Sequence, residues 1–117
     1  MNAITIYHNP ACGQSRGALE LLRARGIEPV VVEYLTAPLA RADFERFLDL
    51  LPDPPADLVR KDKRFKELGL DPDAYTTREQ VVDVLVAHPE LMQRPVVVEG
   101  ERAVLARPSE KVLALLD

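Results

Sequence analysis

The chain has one cysteine, Cys12, in the stretch YHNPACGQSRG (residues 7–17). His8 precedes it by four residues, Ser15 follows by three and Arg16 by four. The thiolate is the reactive form of cysteine, and an unperturbed thiol is mostly protonated near neutral pH. A polar turn that opens a helix favours the thiolate, because free backbone N–H groups and the helix dipole stabilise negative charge. The same N–H groups can cradle an anionic substrate. Ser15 is spaced either to cap that helix or to donate a hydrogen bond to the sulfur, while His8 and Arg16 can add positive charge. His8 has two readings, an acid–base partner or a strand-end residue. A free cysteine is often no more than a small buried apolar residue, but these polar neighbours favour a nucleophile.

Spacing removes some alternatives. A tyrosine-phosphatase loop needs arginine six residues after the cysteine, where this chain has Ala18. One cysteine and the widely spaced His8 and His88 offer too few ligands for zinc, so no metal site is expected.

The elements that must hold this turn follow from the apolar pattern. AITIY (3–7) is β-branched and apolar and predicts a buried strand. Ala18, Leu19 and Leu22 recur at helical spacing, and Gly26 is a C-terminal stop. VVVEY (30–34) predicts a second strand, parallel to the first across a right-handed βαβ crossover. The middle of the chain turns helical. Phe44, Phe47, Leu48 and Leu51 share a face that Pro52 ends, PDPP (52–55) is a loop, and 58–68 predicts one or two short helices. Thr76 and Glu79 have capping-box spacing ahead of Val81, Val82 and Leu85. VVVE (96–99) and AVL (103–105) then flank Gly100 as a hairpin, and Ser109 is expected to cap a last helix with Val112, Leu113 and Leu116 inward. The order βαβ, helices, ββα predicts a single domain over 1–117: an α/β, thioredoxin-like mixed sheet with a helical insertion at about 41–93.

Bulk properties narrow the function. At 117 residues the chain can bury a core without disulfides or metal. A net charge of -4 argues against general nucleic-acid binding. RKDKRFK (60–66) is locally basic and has three readings: a nucleic-acid patch, a guide for an anionic substrate, or a solvated face. The last is expected for Lys61, Lys63, Arg64 and Lys66. No apolar run approaches the length of a membrane span, and a lone thiol suits a reducing compartment, so a cytoplasmic protein is expected.

ITIYHNPACGQSR (4–16) resembles the signature of the glutaredoxin-linked arsenate reductases, the ArsC type within the thioredoxin fold. The similarity continues in order through VEYLTAPL, LVRKDKRFKELGL, HPELMQRPVVV and RPSEKVL. The resemblance implies that Cys12 is the nucleophile and that Arg60, Arg94 and Arg107 bind the oxyanion. Pro95 then matches the thioredoxin-fold proline before the third strand, usually a cis peptide. It further implies arsenate as substrate, no bound cofactor, glutathione as co-substrate and glutaredoxin as partner. Guanidinium forks do suit tetrahedral oxyanions. Arg94 and Arg107 each precede a proline, in backbone held stiff at an element boundary. With no second cysteine, Cys12 has no partner in the chain, so thioredoxin-linked enzymes that relay through several cysteines of their own do not fit. Two other functions share the fold. One is a glutathione-dependent thiol oxidoreductase. The other is an Spx-like RNA polymerase-binding regulator, in which a Cys-x-x-Cys switch is common and Ser15 here stands in the second position.

Overall fold

A computed structural model describes residues 3–116. Strand β1 (Ile4–Tyr7) lies inside a four-stranded sheet of order β2-β1-β3-β4. It runs parallel to β2 (Val30–Val32) and antiparallel to β3 (Val96–Glu99), which pairs antiparallel with β4 (Arg102–Leu105). This mixed sheet, with a βαβ unit at one end of the chain and a ββ hairpin at the other, is thioredoxin-like.

Alternation along the strands divides the core in two. Ile4, Ile6 and Val97 face Ala18 and Leu22 of α1 (Gly13–Ala24), together with Val112 and Leu115. Tyr7, Val96, Ala103 and Leu105 face the opposite layer. That layer contains α2 (Arg41–Leu50), α3 (Lys63–Glu67) and α4 (Arg78–Ala87), with Phe44, Phe47, Phe65, Val81 and Leu85 inside. Short 3₁₀ turns at Pro55–Leu58 and Pro89–Leu91 join these helices.

Several boundaries depart from the sequence reading. β2 ends at Val32 rather than Tyr34, because the Glu33 carbonyl accepts from Thr36 and Ala37 N–H and turns the chain. The cap of α4 is Thr77 with Gln80, one residue on from the expected Thr76 and Glu79. The Gln80 side-chain oxygen accepts from both Thr76 and Thr77 N–H, and Thr77 Oγ1 accepts from Gln80 N–H. Residues 58–60, expected to be helical, begin as the end of a 3₁₀ turn and then run extended against 91–93. Arg60 N–H donates to Leu91 O at 2.7 Å and Gln93 N–H to Leu58 O at 2.8 Å. The last segment, Ser109–Leu116, is 3₁₀. Its three-residue period buries Val112 and Leu115 and leaves Leu113 and Leu116 at the margin. Gly100 opens the β3–β4 hairpin at φ 57°, the positive-φ first position of a II′ turn. Among the described residues no helix is long and apolar enough to cross a membrane.

Candidate active site

The turn between β1 and α1 is built by Asn9. Its side-chain oxygen accepts the Ala11 N–H at 2.9 Å, and its carbonyl accepts the Cys12 N–H at 3.0 Å. This Asx turn delivers Cys12 to the N-cap position of α1, with φ -97° and ψ 124° and no side chain capping the helix. The first N–H groups of the helix are therefore left for the sulfur.

Cys12 is half-buried, and its pKa is lowered from 9.0 to about 7. Partial burial pushes the thiol up. The Ser15 main-chain N–H, the guanidiniums of Arg94 and Arg107 and the Gln14 N–H outweigh it. Arg107 Nη1 lies 3.6 Å from Cys12 Sγ and donates to the Arg94 carbonyl at 2.9 Å. One guanidinium thus locks the 94–95 turn to the thiol. The Arg94–Pro95 and Arg107–Pro108 peptides are both cis. Pro95 is buried directly before β3.

Ser15 and His8 sit differently from the simplest expectation. The Ser15 hydroxyl accepts from Asn9 N–H at 3.0 Å and lies 2.6 Å from His8 Nδ1. Burial lowers the His8 pKa, so the imidazole that shares a hydrogen with the Ser15 hydroxyl is neutral and brings no charge toward the sulfur. Ser15 meets the sulfur through its main chain, and its side chain neither caps α1 nor reaches the thiol. Arg16 also turns away, donating to the Pro10 carbonyl at 2.9 Å.

Arg60 enters from the extended segment beside 91–93. Its Nε donates to Asp62 Oδ2 at 3.2 Å and its Nη1 to Gln93 Oε1 at 3.4 Å. Asp62 also accepts the Phe65 N–H as the N-cap of α3, so one carboxylate both starts a helix and holds the arginine. Lys61, Lys63, Arg64 and Lys66 are exposed, with Arg64 paired to Glu90 at 3.0 Å. Beside Arg107 opens a cleft of about 410 Å³ lined by Asp53, Val59, Lys61, Gln93 and Lys111 among others.

Residues not singled out as functional complete the frame. Asn9 carries an Asx-Pro turn signal in its own sequence. Gln14 and Ser109 join α1 to the segment after Arg107: Ser109 N–H donates to Gln14 Oε1 at 2.9 Å and Ser109 Oγ to Gln14 O at 2.7 Å. Tyr34, fully buried two residues after β2, places its hydroxyl within electrostatic reach of Arg94, Cys12 and Arg60. The arrangement is a thiolate at a helix N-terminus with guanidinium groups converging on it. It fits attack on a tetrahedral oxyanion.

The ArsC family profile matches residues 7–115. Over 117 residues the chain is 43% identical to an arsenate reductase of Acidiphilium multivorum, spanning 99% of this chain and 82% of that protein. It is 40% identical over 115 residues to the uncharacterized protein YfgD of Escherichia coli K12, spanning 97% of this chain and 96% of that one. The solved structure of an arsenate reductase from Vibrio cholerae superposes with a TM-score of 0.86 at 33% identity, covering 97% of both chains.

Proposed function

Because the chain belongs to the ArsC family, we propose that it reduces arsenate to arsenite with Cys12 as nucleophile. The observation that carries this reading is the acidified thiol with the Arg107 guanidinium 3.6 Å from its sulfur. A thiolate at neutral pH and a bound anion held by arginine are the two things the first step requires.

In that step the Cys12 thiolate attacks arsenic(V), an S–As bond forms, and an arsenic-bound oxygen leaves as water after protonation. Arg94 and Arg107 offset charge on the remaining oxygens, and Arg60 completes the set. Reduction needs two electrons, and the only thiol in the chain is already bound to arsenic. Glutathione then displaces a second oxygen to form another S–As bond. A glutaredoxin thiolate attacks the glutathione sulfur, forms a mixed disulfide and leaves the bond's electron pair on arsenic, now arsenic(III). Water displaces Cys12, and arsenite departs. No bound cofactor takes part. The cleft beside Arg107, with Lys61 and Lys111 set against Asp53, is an approach for a zwitterionic thiol such as glutathione. Dependence on reduced glutathione places the activity in the cytoplasm.

The test is arsenite formation from arsenate with glutathione, glutaredoxin, glutathione reductase and NADPH, with Cys12→Ser as control. Turnover that disappears in Cys12→Ser supports the reading. A reactive Cys12 without turnover would overturn it and favour a thiol substrate or a regulatory role.

A further inference from the structure

Two buried polar atoms among the described residues have no hydrogen-bond partner: Tyr34 Oη and Arg94 Nε. They belong to neighbouring groups. The Arg94 guanidinium comes close enough to the Tyr34 hydroxyl to influence its ionisation, without a properly formed hydrogen bond. Cys12 and Arg60 act on the same hydroxyl. The Tyr34 ring is packed in the core between the sheet and the inserted helices, so its buried hydroxyl has a set position within the influence of Arg94, Cys12 and Arg60. A buried hydroxyl without a partner is costly, and so is an orphaned guanidinium N–H. Two such costs side by side at an oxyanion site point to a partner that arrives with the ligand.

We infer that Tyr34 is a fourth anion-binding residue: in the loaded site its hydroxyl accepts the Arg94 Nε–H and donates its own hydrogen to an oxygen of the bound anion. The donor and acceptor count supports this. Nε–H offers one hydrogen and no lone pair, whereas a phenol offers one hydrogen and accepts as well. Linking Arg94 to the hydroxyl therefore leaves the phenolic hydrogen free for the anion, and each orphan is satisfied. Burial raises the Tyr34 pKa, which keeps that hydrogen in place at working pH. The inference rests on the oxyanion reading of the site but does not depend on arsenic.

Tyr34→Phe removes one oxygen and keeps the ring. The decisive measurement is calorimetric titration of arsenate, and separately of inorganic phosphate, into Cys12→Ser and into Cys12→Ser/Tyr34→Phe. The phenylalanine change should weaken anion binding about tenfold or more, the scale of a lost hydrogen bond to a charged group. The melting temperature should hold or rise, because an unpaired buried hydroxyl has gone. Equal anion affinities in the two proteins would overturn the role of Tyr34 and leave arsenate reduction standing. Phosphate binding that depends on Tyr34, with no arsenate binding, would support Tyr34 and overturn arsenate as the substrate. Failure of Cys12→Ser to bind either anion would overturn both.

Discussion

Ser109 closes onto Gln14 through both its main chain and its side chain. Its N–H reaches Gln14 Oε1 at 2.9 Å, and its hydroxyl lies 2.7 Å from the Gln14 carbonyl and 2.9 Å from Oε1. Gln14 is one of the residues whose main-chain N–H faces the thiol, and Ser109 is two residues past Arg107. The clasp therefore sets the distance between the N–H cradle and the guanidinium. Ser109→Ala should cost about 0.5–1.5 kcal/mol of stability by removing the hydroxyl's hydrogen bond to Gln14. It should also slow Cys12 alkylation at pH 7. Urea denaturation and iodoacetamide kinetics on the same preparation measure both effects, and a loss of stability with unchanged alkylation would reduce the clasp to a structural contact.

Gly17 is needed where α1 meets this clasp. A Cβ at that position would sit 2.5 Å from Ser109 Oγ and 3.1 Å from Ser109 Cβ. Gly17→Ala should destabilise by about 1–3 kcal/mol through overpacking. Because it acts on Ser109, its cost should not add to that of Ser109→Ala. Additive losses in the double variant would show that the two positions act independently.

The thiol makes a signed prediction. Its pKa is about 7 in the folded protein against 9.0 for an ordinary thiol, so alkylation should follow a titration centred near pH 7. The depressed value also links to stability. Between those two values the unfolded chain binds the extra proton, so the stabilisation from this group grows as pH rises and is complete above the unfolded value. It is lost as pH falls through 7. Cys12→Ser should lack this rise when denaturation is followed from pH 6.5 to 9.

Arg107 holds the Arg94 carbonyl and the Cys12 sulfur through one nitrogen, with the rest of its fork free for an anion. Lysine offers a point charge without that planar geometry. Arg107→Lys should raise the KM for arsenate about tenfold to a hundredfold, in line with the loss of a charge-assisted pair of hydrogen bonds. Arg107→Ala should in addition raise the Cys12 pKa. Steady-state kinetics with alkylation profiles separate the two effects, and a lysine variant with wild-type KM would remove Arg107 from anion binding.

His8 is kept neutral by burial, its pKa lowered from 6.5. The unfolded chain then takes up the proton first as pH falls, so stability should drop below about pH 6.5. His8→Asn should flatten that drop. The pH profile of the chemical step should keep its ionisation near 7, since His8 bonds to Ser15 and the thiol is the titrating group. Disappearance of that ionisation in His8→Asn would assign it to the imidazole.

The strands and α1 could be read in the sequence because their signals are local: β-branched runs, an apolar period and Gly26 at φ 77°. Errors arose where two local readings competed. Thr76 and Thr77 are both plausible caps, and only the reach of Gln80 decides between them. Ser109 has the side chain of a cap, but its hydroxyl is used across space by Gln14. In the site, Cys12 and the arginines stood out through residue type and familial similarity. Tyr34 gave no such sign, because an apolar, aromatic position after a strand looks like core. Its hydroxyl gains meaning only beside Arg94, which is brought in by the distant third strand.

The guanidiniums that help acidify the sulfur reach it across nearly the whole chain. Arg107 and Cys12 are 95 residues apart, as are Ser109 and Gln14. Such pairings are entropically expensive to close and form late in folding. A chain still emerging from the ribosome has the cysteine turn but no Arg94 or Arg107, so its thiol lacks two of the groups that acidify it and is more protonated than in the folded protein. Part of the reactivity is thereby withheld from the nascent protein and added by completion of the fold. An incomplete molecule is spared premature oxidation, and thiol reactivity becomes a direct reporter of native structure.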